Sequence, residues 1–161
     1  KLNYKKYNIA IKKNLRNRNF KIIFEPGRSI IGNTGILLSK IIYIKKTKNK
    51  DFIILDSAMN DLIRPALYGV RHRIIPVIKK NGTSQKTYEF VGPICESTDK
   101  FLTVKKFQKL KEKEFLIICD VGAYGMSLSS NYNVRPKPME ILIKGSKINI
   151  IKKRQKLEDL I

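Results

Sequence analysis

The chain contains a series of short segments rich in β-branched and aromatic residues, and turn-forming residues separate them. Strands of this length, connected by turns at short intervals, are typical of antiparallel β-sandwiches and barrels. We therefore predict a mostly β fold, with an antiparallel β-barrel or sandwich domain over residues 31–161. A short turn or helix is predicted at 60–68, and the apolar spacing at 154–161 is helical. The predicted strands span residues 35–43, 52–56, 73–78, 88–91, 115–120, 139–144 and 147–152.

Residues 1–30 follow a different pattern. Apolar side chains recur at helical spacing over residues 3–17, which predicts an amphipathic helix that is broken at 17–19. A short apolar run at residues 21–24 then predicts a buried strand that ends at a Pro-Gly turn. One helix and one strand cannot build a parallel sheet, because parallel strands are buried on both faces and need neighbours. We therefore interpret this segment as the end of a larger α/β domain, with a boundary near residues 28–32.

The chain is strongly basic: its 161 residues include 34 Lys and Arg against 13 Asp and Glu, a formal net charge of +21. Such a surplus is common in nucleic-acid-binding proteins. However, the arginines are scattered, and the aromatic residues do not alternate with basic ones as in a base-stacking platform. The joint over-use of Lys, Ile and Asn is typical of AT-rich coding. We therefore expect a solvated basic surface and no nucleic acid partner.

Membrane, secretory and metal-binding classes are also disfavoured. No apolar run approaches the ~18–20 residues that a membrane span needs, and the first residues lack the apolar core of a secretory signal. Cys95 and Cys119 are too few for a disulfide framework and have no metal-ligating companion at short spacing. We expect a cytoplasmic protein with no metal site, in which Cys119 fills the core.

Two turns are candidates for anion or ligand binding. Glu25-Pro26-Gly27-Arg28 follows a predicted strand, and its Gly lets backbone N–H groups approach an anion while Arg28 supplies a planar fork. An ordinary strand-ending turn is the alternative. Tyr124 is flanked by Gly122 and Gly125, which permits close approach of a flat ligand or, equally, a tight β-turn.

Two further segments place reactive or charged groups together. Arg64 and Tyr68 are four residues apart and share a helical face. Because apolar residues surround Arg64, it either extends to solvent or meets an acidic partner. Cys95 and Glu96 set a thiol beside a carboxylate on a predicted turn, where Cys95 is either a proton-transfer group or a half-buried structural residue. His72, between two arginines, is predicted to lie on the surface.

The order of these motifs resembles the C-terminal part of the diaminopimelate decarboxylase family. The matching segments are FEPGRSI, LDSAMNDLIRPALYG, VGPICESTD and DVGAYGMSLSSNYNVRPKPMEIL. The resemblance extends over residues 22–161. These decarboxylases are pyridoxal-phosphate enzymes of the alanine-racemase-like fold type that catalyse the last step of lysine biosynthesis. The resemblance implies conversion of meso-2,6-diaminopimelate to L-lysine and CO₂.

The resemblance also implies a domain organisation and a cofactor site. Residues 1–30 correspond to the last helix and strand of a PLP-binding (β/α)8 barrel, and residues 31–161 to the C-terminal β domain. The family forms homodimers in which two subunits share each active site. The residues implied to bind pyridoxal 5′-phosphate are Glu25, Pro26, Gly27, Arg28 and Tyr124.

Substrate-binding and catalytic roles follow from the same resemblance. Arg28 and Tyr124 are implied to contact the substrate as well as the cofactor. Arg64 and Tyr68 match substrate-binding positions. Cys95 matches the proton donor and Glu96 the residue that recognises the distal amino group, and both act in the neighbouring subunit's site.

One element of the family is not found in these residues. The lysine that binds the cofactor covalently lies in a Tyr-Ala-x-Lys-Ala motif, which this sequence lacks. We therefore expect the chain to be part of a longer or split enzyme, with no turnover on its own. The alternatives are a sibling decarboxylase acting on ornithine, arginine or carboxynorspermidine, and a non-catalytic basic β domain that binds nucleic acid.

Overall fold

The computed structural model describes residues 3–16 and 21–161. The first element is helix α1, Tyr4–Leu15, which confirms the predicted amphipathic helix. The Asn3 side chain begins it by accepting a hydrogen bond from the backbone N–H of Lys6, 3.0 Å away. The predicted helix break at residues 17–19 lies outside the described residues. No helix among those described is long and apolar enough to cross a bilayer.

The centre of the fold is a six-stranded sheet with the strand order β3-β6-β1-β2-β4-β5. The strands are β1 (Ile36–Lys46), β2 (Lys50–Leu55), β3 (Ile74–Pro76), β4 (Thr87–Val91), β5 (Lys100–Val104) and β6 (Phe115–Cys119). The sheet is mixed, because β2 and β4 are parallel while every other pair in it is antiparallel. The prediction of a purely antiparallel arrangement was therefore wrong at this pair. Parallel pairing needs a long crossover, which residues 56–86 provide.

A two-stranded hairpin lies apart from the main sheet. It pairs β7 (Glu140–Lys144) with β8 (Lys147–Lys152) and turns at Gly145, whose φ of +60° suits a glycine.

Two short α-helices, α2 (Arg28–Ile31) and α3 (Arg64–Tyr68), precede β1 and β3. A 3-10 helix at Leu157–Leu160 closes the chain. Strand β5 was not predicted.

Residues 21–27 do not form the predicted buried strand. Ile23 is 75% exposed and Phe24 about half exposed, and no strand among the described residues pairs with this segment. A strand forms only where a neighbouring strand can hydrogen-bond to its backbone N–H and C=O groups, and the described chain offers residues 21–27 no such neighbour. An edge-to-face contact between the Phe24 and Tyr7 rings, with centroids 6.1 Å apart, connects the segment to α1.

The core lies on one face of the main sheet. Its fully buried members come from four neighbouring strands and are Ile41, Ile53, Leu55, Phe90, Leu116 and Ile118. Phe90 packs edge-on against Phe107, with ring centroids 5.3 Å apart. Cys119, at the end of β6, is buried as predicted.

Glu89 on β4 lies between two lysines. Its carboxylate pairs with Lys100 at 2.7 Å and with Lys50. Burial raises the pKa of Glu89, but the hydrogen bonds and the positive charges of Lys100 and Lys50 together lower it more, so the pKa lies below its usual value. A carboxylate whose pKa is lower in the folded state stabilises the fold above its unfolded pKa. That stabilisation disappears as the pH falls through the folded pKa.

We predict that Glu89→Gln makes the chain less stable at neutral pH and that this deficit shrinks in acid. The unfolded pKa of Glu is about 4.3, so the difference between wild type and variant should be constant above about pH 5 and decline below it. Urea unfolding at a series of pH values measures this. Glu158→Gln, at an exposed position of the last 3-10 helix, is the control and should show no such trend. A deficit that is independent of pH would contradict the prediction.

Candidate active site

Arg64 is held between two aromatic rings at the start of α3. Its guanidinium carbon lies 5.8 Å from the ring centroid of Tyr68 and 5.4 Å from that of Tyr124. The residue is only 6% exposed, so it does not extend to solvent, and the described residues offer it no acidic partner. Cation–π contacts of this kind fix a guanidinium in place without using its N–H groups. The Arg64 Nε atom has no hydrogen-bond partner in the described chain.

Tyr124 also reaches the predicted phosphate-binding turn. A Cβ atom added to Gly27 would lie 3.0 Å from the Tyr124 hydroxyl oxygen, a tight contact that shows how closely the two residues approach. The fold therefore brings together residues that are far apart in sequence: Gly27 and Arg28 on one segment, Arg64 and Tyr68 on α3, and Tyr124. Tyr124 itself has a φ of +59°, a left-handed conformation that costs energy in a non-glycine residue and often marks functional sites.

The backbone on either side of Tyr124 is locked to the segment after α2. The Val121 N–H donates to the Gly35 carbonyl and the Gly122 N–H to the Gly32 carbonyl, both at 3.0 Å. A Cβ atom on Gly122 would lie 2.1 Å from the carbonyl oxygen of Ile31. Gly122 is therefore needed for this close approach rather than for a turn conformation.

An open cavity of about 700 Å³ lies beside Arg64, within the size range of small-molecule sites. Three arginines on its wall, Arg28, Arg64 and Arg71, make it suited to carboxylates or phosphate. Asp120 adds a single carboxylate to the same wall. Sequence reasoning did not identify Arg71 or Asp120 as part of the site.

His72 lines this cavity and is not a surface residue, so the sequence prediction was wrong. It is 4% exposed, and its Nδ1 atom lies 2.9 Å from the Cys119 carbonyl oxygen. The basic neighbours Arg71 and Arg73 suggested exposure. The segment is extended, however, and burial alternates along it, with His72 and Ile74 inward and the two arginines outward. This period of two was the signal that could have identified His72.

Cys95 and Glu96 lie on an exposed turn and not in the arginine cavity. Cys95 is exposed, so the alternative of a half-buried structural cysteine was wrong. The carboxylate of exposed Glu96 lies 3.4 Å from the Tyr132 hydroxyl, which can donate to it. The predicted site residues thus form two groups within the chain: those around Arg64 and those on this turn.

The turn is organised around the carboxylate of Asp99, which sequence reasoning did not single out. Asp99 is buried and accepts hydrogen bonds from the backbone N–H groups of Ile94 (2.9 Å) and Met59 (2.7 Å). Burial raises the pKa of Asp99, although both hydrogen bonds oppose the shift. A Cβ atom on Gly92 would lie 2.2 Å from the carboxylate, so the glycine makes room for it. Asp99 therefore connects the Cys95 turn to the segment that leads to α3.

A second buried polar residue fixes that segment from the other side. Asn60, 1% exposed, accepts from Arg135 Nε at 3.1 Å, and its amide nitrogen donates to the Ser130 carbonyl at 3.3 Å. Arg135 also donates to the Asp56 carbonyl at 2.5 Å. The residues between β2 and α3 are thereby anchored before Arg64.

Comparisons with known proteins show which family the chain belongs to. The family model described as "Pyridoxal-dependent decarboxylase, C-terminal sheet domain" matches residues 7–122. The chain is 45% identical to the diaminopimelate decarboxylase of Vibrio cholerae over 145 residues, which are 90% of this chain and 34% of that protein. It is 42% identical to the diaminopimelate decarboxylase of Helicobacter pylori over 154 residues, 96% of this chain and 38% of the relative. The chain thus spans about a third of the length of these relatives.

Solved structures show the same relationship. The crystal structure of diaminopimelate decarboxylase from Helicobacter pylori complexed with L-lysine matches with a TM-score of 0.85 and 40% identity. The match covers 99% of this chain and 39% of that one. The arginine decarboxylase of Paramecium bursaria Chlorella virus, bound to agmatine, matches with a TM-score of 0.66 but only 16% identity, which shows a shared fold alone.

We predict that Asp99→Asn destabilises the chain by about 1–3 kcal/mol, because an amide has one acceptor oxygen and leaves one of two buried N–H donors unpaired. Gly92→Ala should also destabilise it, since its Cβ atom meets the same carboxylate. Chemical unfolding measures the loss, and faster amide exchange at Ile94 and Met59 locates it. Ser97→Ala, an exposed change on the same turn, is the control. Unchanged exchange at both amides would contradict the role given to Asp99.

Proposed function

We infer the function from a family assignment: this chain belongs to the pyridoxal-dependent decarboxylases, and we propose that it is the C-terminal part of a diaminopimelate decarboxylase. The proposed reaction converts meso-2,6-diaminopimelate to L-lysine and CO₂. The observation that carries the proposal is the meeting of Arg64 with Tyr68, Tyr124 and the Gly27 turn. The family motifs predict these residues at one site, although they are far apart along the chain.

The exposed segment 21–27 supports the proposed domain organisation. Its apolar side chains Ile22, Ile23 and Phe24 are exposed in the described chain, as expected for a strand that pairs in a larger sheet. We propose that residues 1–30 complete a PLP-binding (β/α)8 barrel and that residues 31–161 form the β domain of the enzyme. In that enzyme the β domain would be the predicted barrel or sandwich, and the barrel would supply the lysine that binds the cofactor covalently.

The turn at residues 25–28 fits pyridoxal phosphate. Gly27 has no Cβ atom and lies close to the Tyr124 hydroxyl, and Arg28 brings a positive charge for the phosphate. We propose that Glu25, Pro26, Gly27, Arg28 and Tyr124 hold the cofactor. When bound, the cofactor supplies an electron sink for the carbanion that is left by loss of CO₂.

The substrate has a carboxylate and an ammonium group at each end, and the proposed binding residues match this pattern. Arg28 and Arg64 can each donate to a carboxylate, and Arg64 is oriented by the rings of Tyr68 and Tyr124. Glu96 can accept from the distal ammonium group, and Cys95 can donate the proton that replaces CO₂.

We propose that Cys95 and Glu96 work in the partner subunit's active site of a homodimer. Both side chains are exposed on a turn whose backbone is fixed by hydrogen bonds to the buried Asp99 carboxylate. Exposed side chains on a fixed turn are suited to entering a neighbouring subunit's site. Neither side chain lines the arginine cavity of its own chain. A shared site of this kind would be incomplete in a single subunit.

A sibling decarboxylase acting on ornithine, arginine or carboxynorspermidine is less well supported. Those substrates lack a second α-amino-acid end, which Arg64 beside Tyr68, together with Glu96 beside Cys95, would recognise. Identity to diaminopimelate decarboxylases of 42–45% also far exceeds the 16% to the arginine decarboxylase structure. We further propose a cytoplasmic enzyme with no nucleic acid partner.

In the complete enzyme that contains this segment, we predict different kinetic effects for two substitutions. Cys95→Ala should lower kcat far more than it raises KM, because a proton donor acts in the transition state. Arg64→Ala should mainly raise KM, since losing a charge-assisted hydrogen bond to a substrate carboxylate costs about 1.5–3 kcal/mol. Steady-state kinetics with meso-diaminopimelate measure both effects, and Glu158→Gln, at an exposed position of the last 3-10 helix, is the control. Wild-type enzyme that decarboxylates ornithine or arginine in preference would contradict the proposed function.

Subunit mixing tests whether Cys95 acts across the interface. Subunits with Cys95→Ala are combined with subunits that lack the cofactor-binding lysine, and each homodimer is inactive. If the thiol acts in the partner's site, one of the two sites in a heterodimer has both groups, and up to about half of the wild-type activity should return. A heterodimer that forms but stays inactive would place the donor in its own chain's site.

A further inference from the structure

Two buried nitrogen atoms on the arginine cavity have no hydrogen-bond partner in the described chain. They are Nε of Arg64 and Nε2 of His72, in residues that are 6% and 4% exposed. Buried polar groups are almost always hydrogen-bonded, and an exception calls for a specific explanation. Both residues line one cavity, so a molecule bound in that cavity is the natural candidate partner for both atoms.

The chemistry of each atom defines what such a molecule must offer. The Cys119 carbonyl, 2.9 Å from His72 Nδ1, can only accept, so Nδ1 must carry the hydrogen. In the neutral ring, Nε2 then has a free lone pair and accepts. Arg64 Nε–H can only donate. The bound molecule must therefore present an acceptor to Arg64 and a donor to His72.

The charges on the wall favour a zwitterion. Arg28 and Arg71 add two cations next to Arg64, and Asp120 adds an anion next to Cys119 in the chain. A simple dicarboxylate would satisfy the arginines but would leave the buried acceptor His72 Nε2 without a donor. An α-amino-acid group has a carboxylate and an ammonium group on the same carbon, and it satisfies both sets.

We propose that His72 is a substrate-binding residue, whose Nε2 accepts a hydrogen bond from the ammonium group of an α-amino acid while Arg64 Nε–H donates to its carboxylate. This rests on the proposed function and adds a contact to it, since none of the motif positions discussed above includes His72. Asp120, on the same wall, would strengthen the preference for an ammonium group.

The tautomer can be tested on the 161-residue chain without any ligand, because His72 is its only histidine. The ring nitrogens of a chain labelled with ¹⁵N-histidine give one pair of signals, which need no assignment. At about pH 8, we expect a protonated Nδ1 and an unprotonated Nε2. A protonated Nε2 with a bare Nδ1 would overturn the proposal, since such a ring cannot accept from an ammonium group.

The ammonium contact is tested by binding to the complete enzyme. The probes are L-lysine and heptanedioate, which has the carbon skeleton and both carboxylates of diaminopimelate but no amino group. The variant is His72→Asn, which keeps an N–H donor for the Cys119 carbonyl but has no group at the position of Nε2. Losing one hydrogen bond to a charged group should weaken L-lysine binding about tenfold or more, and heptanedioate binding should not change.

The outcomes separate this inference from the proposed function. An equal loss of affinity for both probes would mean that His72 only supports the structure, and unchanged lysine binding would mean that it makes no contact. Either result overturns the role of His72 and leaves the decarboxylase assignment intact. The assignment itself depends on the turnover of meso-diaminopimelate by wild-type enzyme. Calorimetry gives both affinities, and Arg73→Asn, an exposed neighbour, is the matched control.

Discussion

The close approach of two backbone segments determines where most of the candidate site lies. Gly122 packs so tightly against Ile31–Gly35 that a single added carbon on it would lie 2.1 Å from a carbonyl oxygen. Two backbone hydrogen bonds fix this contact. Arg28 lies just before the Ile31–Gly35 segment, and Tyr124 lies just after Gly122. The packing of Gly122 against this segment therefore brings a cation and an aromatic ring to the same place. A larger side chain at Gly122 would move Arg28 and Tyr124 apart, even though the atoms nearest to its Cβ belong to neither of them.

Arg64 joins this pair because its own segment is fixed independently. Asn60 and Asp99 are buried acceptors on either side of the loop before α3, and they receive hydrogen bonds from Arg135 and Met59. Each bonded acceptor is worth more inside the protein than in water, and each would be costly if left unpaired. The same Asp99 carboxylate also orders the turn with Cys95 and Glu96. One buried acid therefore couples the position of the proposed proton donor to that of a proposed substrate arginine.

Local patterns predicted the strands well and their partners poorly. Alternation and turn residues placed β1, β2 and the β7–β8 hairpin close to their observed bounds, because such patterns depend on neighbours in sequence. The parallel pairing of β2 with β4 depends on a crossover and is not visible locally. Strand β5 was missed because Lys100 and Thr103 interrupt its short apolar pattern, and its conformation depends on pairing with β4. In the site, family motifs supplied Arg64, Tyr68 and Tyr124, whose roles remain predictions. His72 and Asp99 were missed because both are significant only as buried polar residues, and their burial could not be read from residue type.

The distinction between surface and buried charge also explains why the large net charge of +21 says little about ligands. Exposed lysines are surrounded by water and salt, and beyond about 8 Å their fields are screened at physiological ionic strength. Arg64 is instead enclosed by two aromatic rings and is 6% exposed, where screening is much weaker. A carboxylate that enters the cavity therefore responds mainly to Arg64 and its two neighbouring arginines. Replacing several surface lysines would not change this preference for carboxylates. A neutral residue in place of Arg64 would remove the buried positive charge on which the preference depends.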